Sequence, residues 1–220
     1  MVRKLIDLSH TVEDGLVTYK GLPAPIICDY LSREDSKQIY AEGTTFQIGK
    51  IEMCSNTGTY LDSPFHRYEN GKDLSELTLE SVASLDAIKI VVPETVTTIN
   101  REYFKNVHVS GKAVLIQTNW SRHWNTEQYY EGHPYLTEDA AQYLKDNGAL
   151  LVGIDTYNID DVRGRERPVH SVLLGSDILI VEHMSNLELT PRDNLKFYAV
   201  PVKVKGFGTF PVRAFAEIQA

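Results

Sequence analysis

Short apolar runs at residues 87–92, 113–118, 150–154 and 178–181 limit most sharply what this chain can fold into. Each is rich in β-branched residues and suits a strand buried in a sheet. Further strands are expected at 4–9, at 197–204 and near 211–218. Phe46, Ile48, Ile51 and Met53 alternate with one slip, which predicts a bent or bulged strand. The clearest helix is predicted at 136–147: Thr137 can cap it, Glu138 and Asp139 suit its positive end, and Gly148 can end it. Strands outnumber helices and only some alternate with them. The pattern is therefore α/β with a mixed sheet, not a doubly wound one. No stretch reads as a linker, so residues 1–220 are expected to form one domain.

A formal net charge of −8 argues against a nucleic-acid surface, which needs clustered Lys and Arg. Cys28 and Cys54 are too few for a disulfide framework and read as reduced thiols. Asp7 interrupts what would have to be the apolar core of a signal peptide, and no run approaches the roughly 20 residues of a membrane span. A cytoplasmic protein with no membrane partner is expected.

Chemistry concentrates in two places. The first is Asn56-Thr57-Gly58-Thr59-Tyr60-Leu61-Asp62-Ser63-Pro64-Phe65-His66. Gly58 permits a turn that a Cβ would hinder. Asp62 and His66 are four apart, but Pro64 argues against a helix, so a looping backbone must bring them together. A carboxylate and an imidazole in one site can bind a divalent metal or act as a base with its orienting partner; equally, they can be turn and surface residues. The second place is Pro168-Val169-His170, opening a short helix that ends at Gly175, followed by Glu182-His183 at the end of a strand. Taken alone, Glu182 is a strand-end charge and His170 a helix-start residue; together they can share one rim of a sheet. His183, next to Glu182, is expected to face the other way. Trp120, His123, Trp124, Tyr129 and Tyr130 suit either a pocket for a flat aromatic substrate or the packing of a long loop. His10, His108 and His133 read as solvated or turn residues, and Asp160-Asp161, before Arg163, Arg165 and Arg167, as a loop with local ion pairs.

The first segment resembles the signature H-x-G-T-H-x-D-x-P-x-H of the cyclase/kynurenine formamidase-like family of metal-dependent hydrolases. Gly58, Thr59, Asp62, Pro64 and His66 match, while Asn56 and Tyr60 stand where the signature has histidines. The likeness continues, in order, through Asp7-Leu8-Ser9-His10, Gly153-Ile154-Asp155-Thr156, Arg167-Pro168-Val169-His170, Val181-Glu182, Val200-Pro201-Val202-Lys203-Val204 and Pro211-Val212-Arg213-Ala214. It implies a single α/β domain, a swivelling β/β/α arrangement whose mixed sheet curls toward a barrel with helices outside, assembled as a homodimer. It also implies metal ligands at Asp62, His170 and Glu182 and a catalytic acid/base at His66. A second ion would lose two ligands here, because an amide is a poor zinc ligand and a phenol must first ionise. One divalent metal per chain is expected, with Zn, Mn and Fe not distinguished by the donor set. Asn56 and His183 remain open as additional ligands.

The implied activity is hydrolysis of an amide, with an aryl formamide as substrate, as in tryptophan catabolism. Tyr60 would join His66 as a catalytic group, donating to the developing oxyanion. The alternatives are action on another cyclic or aromatic amide or ester, of the cyclase, lactonase or lactamase type, and a metal-free binding protein for a small molecule.

Overall fold

The apolar runs form the middle of a nine-stranded sheet in the computed structural model, which describes residues 3–219. In chain order the elements are β1 (Arg3–Asp7), β2 (Ile26–Leu31), α1 (Arg33–Ser36), β3 (Ile48–Glu52), β4 (Tyr60–Asp62), β5 (Leu85–Val91), β6 (Thr98–Ile99), β7 (Ala113–Gln117), β8 (Tyr135–Leu136), α2 (Glu138–Asp146), β9 (Leu151–Ile154), α3 (Pro168–Leu174), β10 (Leu179–Glu182), β11 (Leu195–Tyr198), β12 (Thr209–Pro211) and β13 (Phe215–Gln219). The main sheet runs β1-β13-β11-β5-β7-β9-β10-β4-β12. β5, β7, β9 and β10 are mutually parallel; the pairings on either side are antiparallel.

Period-two alternation divides the core between the faces of this sheet. Leu115, Leu151, Leu179 and Val181 join Ile6, Leu61, Phe197 and Ala216 on one side. Val114, Ile116, Val152, Ile154 and Ile180 meet Ala140, Leu144, Val169 and Leu173 of α2 and α3 on the other. Burying a leucine such as Leu144 or Leu173 contributes about 1.5–3 kcal/mol, so the helices are held chiefly by their apolar faces.

The sheet curls into a half-barrel. Residues 212–214 alone carry the chain from β12, at one end of the strand order, to β13, near the other. Three extended residues span only about 10 Å, so the two ends must lie close. Hydrogen bonds from Leu8 N to Ala214 O (2.9 Å) and Ser185 N to Leu8 O (3.0 Å) close the gap further.

Two expected strands are corrected. The one at 197–204 stops at Tyr198, because Pro201 has no N–H to add to a ladder and Ala199 N turns to Val82 O. The one near 211–218 is two strands on different sides of the sheet. The strand around 46–53 pairs with β2, which lay in no predicted element; the irregularity falls in that partner, between Asp29 and Leu31. The helix at 136–147 forms as Glu138–Asp146, yet the hydroxyl of Thr137 turns to Ile99 O and the Asp139 carboxylate and leaves the helix N–H groups uncapped by its side chain. Cys28 and Cys54 are free thiols. Among the described residues no helix is long and apolar enough to cross a membrane.

Candidate active site

Strand β4 organises the site. Tyr60 and Asp62 are two residues apart and therefore share a face. Its neighbours place Glu182 opposite Tyr60 and Thr209 opposite Asp62. Cross-strand partners touch: the Tyr60 hydroxyl donates to Glu182 Oε2 at 2.7 Å, and the Thr209 hydroxyl donates to Asp62 Oδ1. All four side chains are buried.

The chain then turns back over β4. Pro64–His66 form one 3-10 turn, with Pro64 at its first position, where a missing N–H costs nothing. The expectation that Pro64 opposes an α-helix holds, although the looping backbone is a short 3-10 helix. Gly208 makes the approach possible: Ser63 N donates to Gly208 O at 2.7 Å, and a Cβ there would lie 2.3 Å from His66 N. Gly58, at φ +66, supplies the turn before β4. His66 thereby reaches Thr209, with Nδ1 2.8 Å from Oγ1. Thr209 has one proton, and the Asp62 carboxylate can only accept it. His66 must therefore donate from Nδ1 to Thr209, which leaves Nε2 as the basic lone pair.

His170 sits in the first turn of α3. Asp160 accepts from Val169 N (2.8 Å), His170 N (3.1 Å) and His170 Nδ1 (2.6 Å), holding both the helix start and the ring. Nε2 therefore turns to the carboxylates, 3.6 Å from Asp62 Oδ2 and 3.8 Å from Glu182 Oε1. Burial alone would push the His170 pKa down, but Glu182, Asp160 and Asp62 outweigh it and hold the group up at about 10. Burial pushes Glu182 up to about 7, against the opposing pull of His170. Burial, with Glu182 and Asp62 nearby, raises the Tyr60 phenol well above its ordinary value. Tyr60 is thus a neutral donor to Glu182 rather than a phenolate ligand.

These donors fit a divalent cation. Among the described residues Asp62 Oδ2 is fully buried yet has no partner at hydrogen-bond distance, with His170 Nε2 3.6 Å away, a costly condition that a cation would relieve. His170 is fixed by a carboxylate on Nδ1, the usual arrangement of a metal-bound histidine, and a cation binding at Nε2 would displace the proton that the surrounding carboxylates otherwise hold there. One ligand atom each from Asp62, His66 and His170 can lie within 4.8 Å of one another. That grouping includes His66 and omits Glu182, whose oxygens already accept from Ile159 N (2.6 Å) and Tyr60. Each carboxylate oxygen has a second lone pair, so Glu182 can hold a cation as well.

A cavity of about 240 Å³ opens onto this cluster, and Asn56, Tyr60, His66, His170 and Glu182 all line it. Tyr19 and Leu22 supply its other aromatic and aliphatic surface. Trp120, His123, Trp124, Tyr129 and Tyr130 do not line it; they form a wall behind. Asp155 holds the loop that carries them, accepting from Thr118 N and Asn119 N. His183 has a positive φ of 56° and is buried in this wall, its ring centre 5.0 Å from Tyr60 and 5.6 Å from both Trp124 and Tyr129. Among the described residues neither ring nitrogen has a hydrogen-bond partner.

Two histidines read as solvated are corrected. His10 stacks on Trp124 at 3.9 Å, and His133 is buried beside Tyr157. His108 is exposed, as expected. Asp161 pairs with Arg163 as the sequence suggested, but Asp160 is the buried partner of His170. Asp160 and Thr209 were the residues sequence reasoning missed, and nothing in the local sequence marks either of them.

Burial lowers the His10 pKa from 6.5 to about 4. A depressed folded-state value contributes stability that is complete above the unfolded pKa and is lost as pH falls toward the folded one. His10→Phe keeps the stacking but does not titrate. Between pH 7 and 4.5 the variant is therefore expected to gain on wild type by on the order of 2 kcal/mol. Thermal melts across that range check this; a constant difference between the two midpoints would contradict it.

The family model described as "Putative cyclase" matches residues 6–161. Kynurenine formamidase of Bacillus cereus is 26% identical over 211 residues, covering 95% of each chain. Kynurenine formamidase of Geobacillus thermodenitrificans is 27% identical over 215 residues, covering 97% of each. Among solved structures, isatin hydrolase A from Labrenzia aggregata, bound to benzyl benzoate, has a TM-score of 0.84 at 19% identity, with 99% of this chain and 94% of that one covered. A potential metal-dependent hydrolase with cyclase activity has a TM-score of 0.81 at 22% identity, with both chains fully covered.

Proposed function

The chain belongs to the cyclase family, and on that premise we propose that it is a metal-dependent amide hydrolase acting on aryl formamides. The observation that carries this reading is the buried, unpartnered Oδ2 of Asp62 facing Nε2 of His170 beside Glu182. The names of the relatives support it: kynurenine formamidases and isatin hydrolases cleave C–N bonds.

Asp62, His170 and Glu182 would hold the cation, with Asp160 orienting His170. A divalent ion bound there supplies Lewis acidity to the scissile carbonyl and lowers the pKa of water. His66 Nε2 takes the proton from the attacking water and returns it to the leaving nitrogen. The water oxygen forms a bond to the formyl carbon, the C–N bond breaks, and formate, an arylamine and one proton result. Part of the His66 side chain, 35% of its surface, is exposed, so it can exchange protons with solvent. Tyr60 holds Glu182 by its hydroxyl; as an oxyanion donor it would share that proton with the substrate.

Removing metal is the test. Treatment with a chelator is expected to abolish turnover of formanilide, and readdition of Zn²⁺, Mn²⁺ or Fe²⁺ to restore it, with about one ion per chain by elemental analysis. Turnover that survives chelation, or no turnover with any of the three ions, would overturn the reading; in the second case a binding protein becomes the better account.

A further inference from the structure

Two arginines face the cavity without a carboxylate to balance them. Arg67 and Arg167 both line it. Arg122, Arg163 and Arg213 lie against Glu94, Asp161 and Asp7, whereas among the described residues neither cavity arginine forms an ion pair with Asp or Glu. Each is nonetheless held in place. Arg67 donates from Nε to Ser171 Oγ at 3.2 Å, and its guanidinium lies 5.3 Å from the centre of the Tyr68 ring. Among the described residues, both of its terminal amino groups are left without a hydrogen-bond acceptor. Arg167 donates from Nη1 to Glu166 O at 2.7 Å and Gly164 O at 3.1 Å, both neutral carbonyls.

The acidic side of the cavity is already committed. Among the described residues Glu182 is its one lining carboxylate, and it accepts from Ile159 N and Tyr60. Asp62 lies fully buried beneath. With a divalent ion offsetting those two charges, as the proposed function requires, the arginines are what an arriving substrate meets. A guanidinium fork matches a carboxylate bidentately. An ammonium would find two like charges and no counter-charge.

Resting on the hydrolase reading, we infer that the substrate is a net-anionic aryl amide, its ring against Tyr19 and Leu22 and its carboxylate received by Arg67 and Arg167. This excludes both a neutral lactam and a zwitterionic amino acid as the preferred substrate. The two arginines are specificity residues, separate from the groups that carry the proton.

The experiment compares kcat/KM of the metal-loaded protein for N-formylanthranilate, formanilide and N-formylkynurenine, which are anionic, neutral and zwitterionic. The anion is expected to be preferred over each of the others by about 10–100-fold, and Arg67→Gln to reduce that preference at least tenfold through KM. Preference for the neutral or zwitterionic amide, or a preference unchanged in Arg67→Gln, would overturn the inference. If none of the three is hydrolysed, the hydrolase reading has failed, and calorimetric titration with anthranilate decides the charge question separately. Wild type should bind it at least tenfold more tightly than Arg67→Gln and more tightly than it binds aniline; equal affinities would refute the anion site.

Discussion

Asp62→Ala is expected to release the bound ion and lower amide turnover by on the order of 10³-fold. Loss of a partner one step removed from a metal costs 10–100-fold, and a direct ligand should cost more. Asp62 holds two neighbours at once. Its Oδ1 accepts from Thr209, which orients His66, and its Oδ2 faces His170. Removing it therefore disturbs both the ligand set and the base. Asp62→Asn separates the two effects. The amide oxygen can still accept from Thr209, so the His66 geometry survives while the charge needed for the cation is gone. Elemental analysis of both variants, alongside turnover of a formamide, checks this. Asp62→Ala protein that keeps a full complement of metal would remove Asp62 from the ligand set.

Much of the sheet was legible because it rests on local pattern. The runs at 113–118, 150–154 and 178–181 became β7, β9 and β10 within a residue or so at each end, since a strand buried on both faces must be apolar throughout. The signature segment marked Asp62 and His66, and the order of the later motifs brought in His170 and Glu182. What the sequence could not show was register. That Tyr60 lies opposite Glu182, and Asp62 opposite Thr209, depends on β4 inserting between β10 and β12, partners more than a hundred residues away in the chain. The sequence suggested that the Tyr60 phenol donates a hydrogen bond, to a developing oxyanion, but only that pairing reveals Glu182 as its partner. Asp160 was obscured differently. Set among Asp161, Arg163, Arg165 and Arg167, it looked like one more surface charge, and only its complete burial against His170 distinguishes it. The aromatic segment was ambiguous for a third reason: an aromatic ring packs equally well against a ligand or against its neighbours.

His66→Ala is expected to lower turnover by about 10²–10⁴-fold, the range for losing a general acid/base, while leaving the metal in place. The physical ground is the division of nitrogens on the two imidazoles. His170 is tied by Nδ1 to a carboxylate, which makes Nε2 a strong donor to a cation. His66 is tied by Nδ1 to a hydroxyl that is itself drawn toward Asp62, a weaker partner, and its ring lines the cavity while staying partly exposed. A partly exposed imidazole suits proton exchange better than ligation. The compact grouping of Asp62, His66 and His170 gives the competing assignment, with His66 as the third ligand and Glu182 as the base held by Tyr60. Metal content decides between them. A His66→Ala protein that retains its ion, loses turnover and recovers part of it on addition of free imidazole has lost a proton carrier. One that loses the ion with the activity, and is not rescued, has lost a ligand, and the base would then be Glu182, whose pKa burial already holds near 7.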